Sequence, residues 1–226
     1  NEGIDWANAD YFMNVDADDF LAPGCLKRAL SIMNRDPSLV FCHGREECLV
    51  DNRQIPDWNF DERSDAEWKI SSGEDFIKRQ CTKGYNLVAN PTVVRRTRIQ
   101  KSAGHFYADL NYADDMNMWL RLALHGNVAE TSAVQGIRRV HPGQLTQSYR
   151  EAPVMDLVEH LNNFEHFFCH EGTRLPNAGK HRATVTRRIA FNGLYAAGAL
   201  MMNRRLKQSL RCVQFSLRTY AGFLAQ

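Results

Sequence analysis

The chain has 226 residues, 44% of them hydrophobic, 24% charged and 10% aromatic, with a formal net charge of +2. This is globular composition, enough for one good core or for one domain with an appendage. It holds no run of 18 apolar residues, which excludes a membrane-spanning helix, and no signal-peptide pattern.

The charge is unevenly spread. Glu171 is the last acidic residue, and residues 172–226 carry ten Lys or Arg with no Asp or Glu, against a net of −8 for the rest. An acidic body with a basic tail suggests two parts with different tasks. Cys25, Cys42, Cys48, Cys81, Cys169 and Cys212 are scattered without a Cys-x-x-Cys pair, which predicts free thiols and a cytoplasmic protein. The chain opens on Asn1-Glu2-Gly3 without an initiating Met and reads as a fragment of a longer protein.

Tyr11 to Val15 is a short apolar run that predicts a buried strand ending at Asp16-Ala17-Asp18-Asp19. Pro23 suits the first turn of a helix reaching about Asn34, which Asp36-Pro37 ends. Leu39 to Cys42 and Glu47 to Val50 read as strands, and the polar stretch from Asp51 to Trp68 as a long loop. Ser71-Ser72-Gly73-Glu74 offers a capping box for a helix through Gln80. Thr92 to Arg95 is strand-like, and Thr97 to Ala103 is a short helix closed by Gly104. Asn111 can cap a helix from Tyr112 to His125 that Gly126 terminates. Val128 to Thr131 and Gly136 to Val140 are strand candidates, and everything beyond Pro153 looks helical. Strands alternating with helices, then helices alone, predict an α/β domain over residues 1–150 and a helical region over 151–226.

The acidic cluster carries the first chemical signal. Alternation along an extended backbone puts Asp16 and Asp18 on one face at a strand end, where open α/β sheets bind ligands. Two converging carboxylates repel unless a cation lies between them, and Mg²⁺ or Mn²⁺ suits such a pair. The alternative is a solvated loop whose aspartates cap the helix starting near Pro23. A second acid pair, Asp114-Asp115, opens the helix of Met116 to Leu122. Helical geometry puts Asp115 beside Met118, Trp119 and Leu122, facing the protein, and Asp114 beside Asn117 and Arg121, on a side that looks solvated. A desolvated carboxylate holds a proton more tightly and suits a general base. Acids in a first turn also simply complement the helix dipole.

Residues 1–7, then Tyr11-Phe12-Met13-Asn14-Val15-Asp16-Ala17-Asp18-Asp19-Phe20-Leu21-Ala22-Pro23, resemble glycosyltransferase family 2. The shared pattern is an Asn-x-Gly run, an Ala, an apolar strand, Asp-x-Asp-Asp and a Pro opening the next helix. Asp114-Asp115 followed by Trp119 and Arg121-Leu122 resembles the family's acid pair, and Asn90-Pro91-Thr92 to Arg95-Arg96 its Pro-Thr segment. Arg95 and Arg96 read as structural. Arg139-Val140-His141-Pro142-Gly143-Gln144-Leu145-Thr146 resembles a closing Arg-x-His loop, where His141 reaches the metal or the diphosphate; a turn histidine beside Pro142 is the alternative.

The resemblance implies a GT-A fold, Rossmann-like with a mixed central sheet, lacking its first βα units and followed by a helical appendage. It implies a metal-dependent inverting glycosyltransferase working in polysaccharide or cell-envelope glycan synthesis. Asp16, with Asn1 and Gly3, would lie on the nucleotide side; Asp16, Asp18 and His141 would hold Mn²⁺ or Mg²⁺. Asp115 would be the catalytic base, with Asp114 and Trp119 on the acceptor side. The partners would be a UDP-, GDP- or dTDP-linked sugar donor and a saccharide or lipid-linked acceptor, with no nucleic acid. The units that hold the nucleotide base would precede Asn1, so this chain alone would carry an incomplete donor pocket. The Gln-x-x-Arg-Trp signature of processive polymerases is absent, which favours single-sugar transfer.

Three weaker readings remain. A haloacid-dehalogenase-type phosphatase also carries Asp-x-Asp at a strand end, but it needs Thr or Val where Phe20 stands. His166 and His170 lie one helical turn apart without an evident third zinc ligand. Leu206, Leu210, Val213, Leu217, Tyr220 and Leu224 follow four-three spacing, with Arg204, Lys207, Arg211 and Arg218 largely opposite. Such a helix can lie on the inner face of an anionic membrane, making residues 204–226 a peripheral contact or the docking tail of a non-catalytic scaffold. More commonly it packs its leucines on the preceding helix, here on Ile189, Leu194 and Ala197.

Overall fold

The computed structural model describes residues 1–50, 66–144, 149 and 151–224, without the side chains of 223 and 224. Most of the loop expected from Asp51 to Trp68, together with Leu145 and Thr146, lies outside the described residues. The chain divides into two compact units. The first comprises Asn1–Phe76, Val88–Phe106 and Met118–Pro142; the second comprises Ile77–Leu87, Tyr107–Asn117 and Gly143–Gln226.

The first unit is a mixed α/β arrangement. Its strands are β1 (Tyr11–Phe12), β2 (Phe20–Leu21), β3 (Leu39–Val50), β4 (Trp68–Ser71), β5 (Val94–Arg96) and β6 (Asn127–Val140). They form one sheet in the order β1-β5-β3-β6-β2, with β4 also on β6. Among the described residues β3 and β6 pair in parallel and the other pairs are antiparallel. The strands expected separately within 39–50 and within 128–140 are each continuous. Gly44 joins the halves of β3 across a register shift, and an added Cβ there would lie 2.5 Å from Gln135 Cγ and 2.7 Å from the Ala133 carbonyl oxygen. A bulge there lets the two expected strands run on as one.

Helix α1 (Glu2–Trp6) opens the chain, and α2 (Cys25–Arg35) follows β2. The inner face of α2, Ala29, Ile32 and Met33, packs on Leu39, Cys42, Val94 and Ala129 of the sheet. Helix α3 (Gly73–Lys83) is capped one residue later than expected: Asp75 N donates to Ser72 Oγ at 3.1 Å, and Ser72 Oγ donates to Asp75 Oδ2 at 2.7 Å. It ends at Gly84, whose φ of 71° only glycine adopts without strain. Helix α4 (Thr97–Ala103) matches its expected bounds.

Helix α5 (Asp114–Ala123) starts two residues later than the sequence predicts, because Ala113 takes a left-handed φ of 58°. Trp119 on this helix is wholly buried, its ring centroid 5.9 Å from that of Phe41. Truncating it to Ala is expected to cost about 3–5 kcal/mol, read as a lowered midpoint in denaturant unfolding.

The second unit contains the helices α6 (Pro153–Cys169), α7 (Ala178–Met202) and α8 (Leu206–Leu224). This agrees with the expected helical region after Pro153. Among the described residues no helix is long and apolar enough to cross a membrane.

Candidate functional site

Asp16-Ala17-Asp18-Asp19 is a turn between β1 and β2, closed by Asp19 N donating to the Asp16 carbonyl oxygen at 3.0 Å. The pleat invoked to align Asp16 with Asp18 does not reach them, since β1 ends at Phe12. The turn gathers the acids instead. The helix-capping alternative does not describe α2: its N-cap is Gly24, no side chain caps it, and β2 intervenes.

Each acid of the turn has a distinct hold. Asp18 Oδ2 lies 2.9 Å from His141 Nε2, just past the end of β6. Asp19 Oδ1 accepts from Arg139 N at 3.1 Å. Asp16 Oδ1 accepts from Asn90 Nδ2 at 3.3 Å, and Asn90 Oδ1 accepts from Asn14 Nδ2 at 2.9 Å. Asn14 Oδ1 in turn accepts from the guanidinium of Arg95. His141 is thus both a turn residue beside Pro142 and a member of the cluster.

Arg95 is fully buried, 4.5 Å over the Phe12 ring and 5.2 Å over the Trp119 ring, and burial pulls its pKa down to about 9. Arg96 is structural: its guanidinium donates to the carbonyl oxygens of Met33 (2.6 Å), Asp36 (3.0 Å) and Leu39 (2.7 Å), closing the open end of α2. The asparagine relay from Arg95 to Asp16 went unrecognised in the sequence. Its one signal was a polar Asn14 inside an otherwise apolar run.

Asp19 is pushed up to about 6. Burial is the main cause; the Arg139 N–H works against it, and the charges of Asp18 and Asp16 add to it. Burial, with the neighbouring carboxylates adding to it, therefore disfavours the charged form of Asp19, and a cation at the turn would favour it. Among the described residues, no group of three or more His, Cys, Asp or Glu side chains is placed to hold a metal ion. Mg²⁺ and Mn²⁺ do not need one, because they take one or two carboxylates and fill their shells with water and phosphate oxygens. The donor set of carboxylates and one imidazole fits such an open site.

Asn1 is held by the backbone of Phe106: Nδ2 donates to Phe106 O at 3.0 Å, and Phe106 N donates to Asn1 Oδ1 at 2.8 Å. Gly3 lies within α1, with nothing within 4 Å of where a Cβ would stand.

The second acid pair belongs to the second unit. Asp115 is half-buried. Its Oδ2 accepts from Asn86 Nδ2 at 3.0 Å, and its Oδ1 accepts from Met116 N at 2.7 Å. The side of α5 expected to be solvated is not: Asn117 and Arg121 are 1% and 3% exposed. Arg121 donates to the carbonyls of Ala103 and His105, and Asn117 to that of Asn163. Polar side chains survive burial when backbone oxygens receive them. Asp114 is half-buried at the same helix start, while Trp119 lies too deep to touch a substrate.

Asn86 also lines a cavity of about 410 Å³ in that unit, with Tyr85, Tyr112, Tyr149, Asp156 and His160. The Tyr112 and Tyr149 rings stack at 3.8 Å, and Tyr112 meets His160 edge-on at 6.2 Å. Flat aromatic faces beside a carboxylate and an amide suit a ligand with both C–H faces and hydroxyls. The pocket is not legible in the sequence, because the segment after α3, the residues before α5, and α6 supply its parts from distant positions.

Against protein families, the model of Glycosyl transferase family 2 matches residues 1–97. The match contains the acidic turn, Asn90 and Arg95; Asp115 and His141 lie beyond it. No curated protein gives a significant match.

Proposed function

We propose that the chain, whose residues 1–97 match the model of glycosyltransferase family 2, moves one sugar, with inversion, from a nucleotide-sugar donor to a hydroxyl acceptor. The observation that carries this reading is the acidic turn, where Asp16, Asp18 and Asp19 gather beside His141 and Asp19 is raised to about 6.

Asp16, Asp18 and His141 would hold Mg²⁺ or Mn²⁺. Such an ion supplies neutralisation of the departing nucleoside diphosphate. Asn90 fixes the carboxylate of Asp16, and Arg139 N keeps Asp19 turned inward. Asn1 and Gly3 belong to the nucleotide side. Asp115 takes the proton of the acceptor hydroxyl as that oxygen attacks the anomeric carbon. Asn86 orients the carboxylate and joins it to the tyrosine-lined cavity, which receives a saccharide or a lipid-linked saccharide. Asp114 contributes to that acceptor side, while Trp119, wholly buried, does not touch the acceptor.

In this reading residues 1–150 form the catalytic GT-A domain, and residues 151–226 are a helical region that completes the acceptor pocket. The donor carries UDP, GDP or dTDP, and the product is a polysaccharide or envelope glycan made on the cytoplasmic side. A peripheral contact with the membrane's inner face through residues 204–226 belongs to the same picture.

A thermal-shift panel of sugar nucleotides on the full-length protein tests the reading. One donor is expected to raise Tm with Mn²⁺ present, as binding to the folded state must, and not when EDTA removes the ion. Equal shifts with and without metal, or none across the panel, would overturn it.

A further inference from the structure

Leu206, Leu210, Leu217 and Tyr220 recur along α8 at steps that put them on one face. A helix of this length ordinarily buries such a stripe on its neighbour, and α7 was expected to receive it. Val213 of that stripe does pack against the cluster of Ala197, Leu200 and Cys212, but the leucines stay outside. The buried face of α8 is Ser209, Cys212 and Ser216. Ser209 Oγ donates to Ala197 O at 2.8 Å, and a Cβ added to Gly193 would lie 2.2 Å from Ser216 Oγ. Cys212 packs with Ala197 and Leu200. Small residues on both helices bring their backbones close, which leaves the larger side chains outside.

Leu206, Leu210 and Leu217 are accordingly 65%, 58% and 62% exposed. The outer face of α7 is also apolar, with Phe191, Leu194, Tyr195, Met201 and Met202 exposed. Each of the three leucines is followed by a base, Lys207, Arg211 and Arg218, all exposed. One residue is about 100° of helix, so the basic row runs beside the leucine row. Residues 172–226 contain no acid to neutralise it.

An apolar row beside a purely basic one complements an anionic headgroup layer over hydrocarbon. A second copy fits less well, because closing this face on itself about a two-fold axis sets like-charged rows together. We propose that the α7–α8 hairpin docks the protein on an anionic bilayer surface, with Leu206, Leu210 and Leu217 at the acyl boundary and Lys207, Arg211 and Arg218 on the headgroup phosphates. This widens the peripheral contact from a terminal segment to a two-helix face. It is independent of the chemistry, since lipid binding requires neither Asp115 nor a metal.

The test is co-sedimentation of the full-length protein with phosphatidylcholine vesicles, alone or with about one-third phosphatidylserine to supply the surface potential. Pelleting is expected on the anionic vesicles only, and to weaken as salt rises. Lys207→Gln, Arg211→Gln and Arg218→Gln together are expected to weaken it about a hundredfold. Leu210→Asp with Leu217→Asp is expected to abolish it at unchanged Tm, because both side chains are exposed. No pelleting on either vesicle, or equal pelleting on both, would overturn the proposal. So would a dimer that the leucine variant dissolves while lipid binding is unaltered. Loss of transfer activity in an Asp115 variant that still pellets would leave it standing.

Discussion

Replacing Asp115 by Asn is expected to lower kcat of the full-length enzyme by about 10²–10⁴-fold, the range that a positioned general base contributes. The substitution is a narrow one. The amide keeps the shape and an oxygen for the Asn86 N–H that reaches Asp115 Oδ2 at 3.0 Å, and it gives up basicity alone. KM for the donor is therefore expected to hold while kcat falls. Steady-state kinetics with acceptor saturating would separate the two. Transfer at the wild-type rate, with metal and donor binding intact, removes Asp115 from the mechanism.

Asp18→Asn is expected to act at the other end of the reaction. It removes one negative charge from the turn and leaves an amide as a weaker ligand for a hard cation. Altering a residue that merely orients a ligand costs about 10–100-fold in metal affinity or activity, and a direct ligand should cost at least that. Mn²⁺ affinity, followed by the loss of free-ion EPR signal, is expected to fall by about two orders of magnitude, with transfer falling in parallel. His141 touches the same carboxylate at 2.9 Å. Unchanged Mn²⁺ affinity in the Asp18 variant would show that the turn is not the metal site.

The elements that the sequence placed well are those whose signals are local. Gly104 closes α4, and the long apolar periodicities beyond Pro153 do form helices. Ser72 and Asp75 show the limit of such signals: the capping chemistry was legible, its register was off by one, and only the backbone path chose between Ser71 and Ser72. At α8 the leucine repeat was read correctly as one face. Which face met α7 was decided by Gly193, Ala197, Ser209 and Ser216, because close helix contact selects small residues before large ones.

The acidic cluster shows the same division. From the chain alone, Asp16-Ala17-Asp18-Asp19 stood as either a metal site or a helix cap, and resemblance rather than geometry favoured the first. The residue types and their order were determined by the sequence: three carboxylates between two short strands, an acid pair at a helix start, and a basic tail free of acids. Tertiary structure alone decided that the turn, not a strand, gathers the aspartates. It also set His141, which the resemblance had already named, against Asp18, and supplied Asn90 from a distant turn and Asn86 beside Asp115. The reason is physical. Turn and helix preferences act over a few residues, whereas the partners of a carboxylate are set by chain segments that meet only when the sheet and the helices close on their cores.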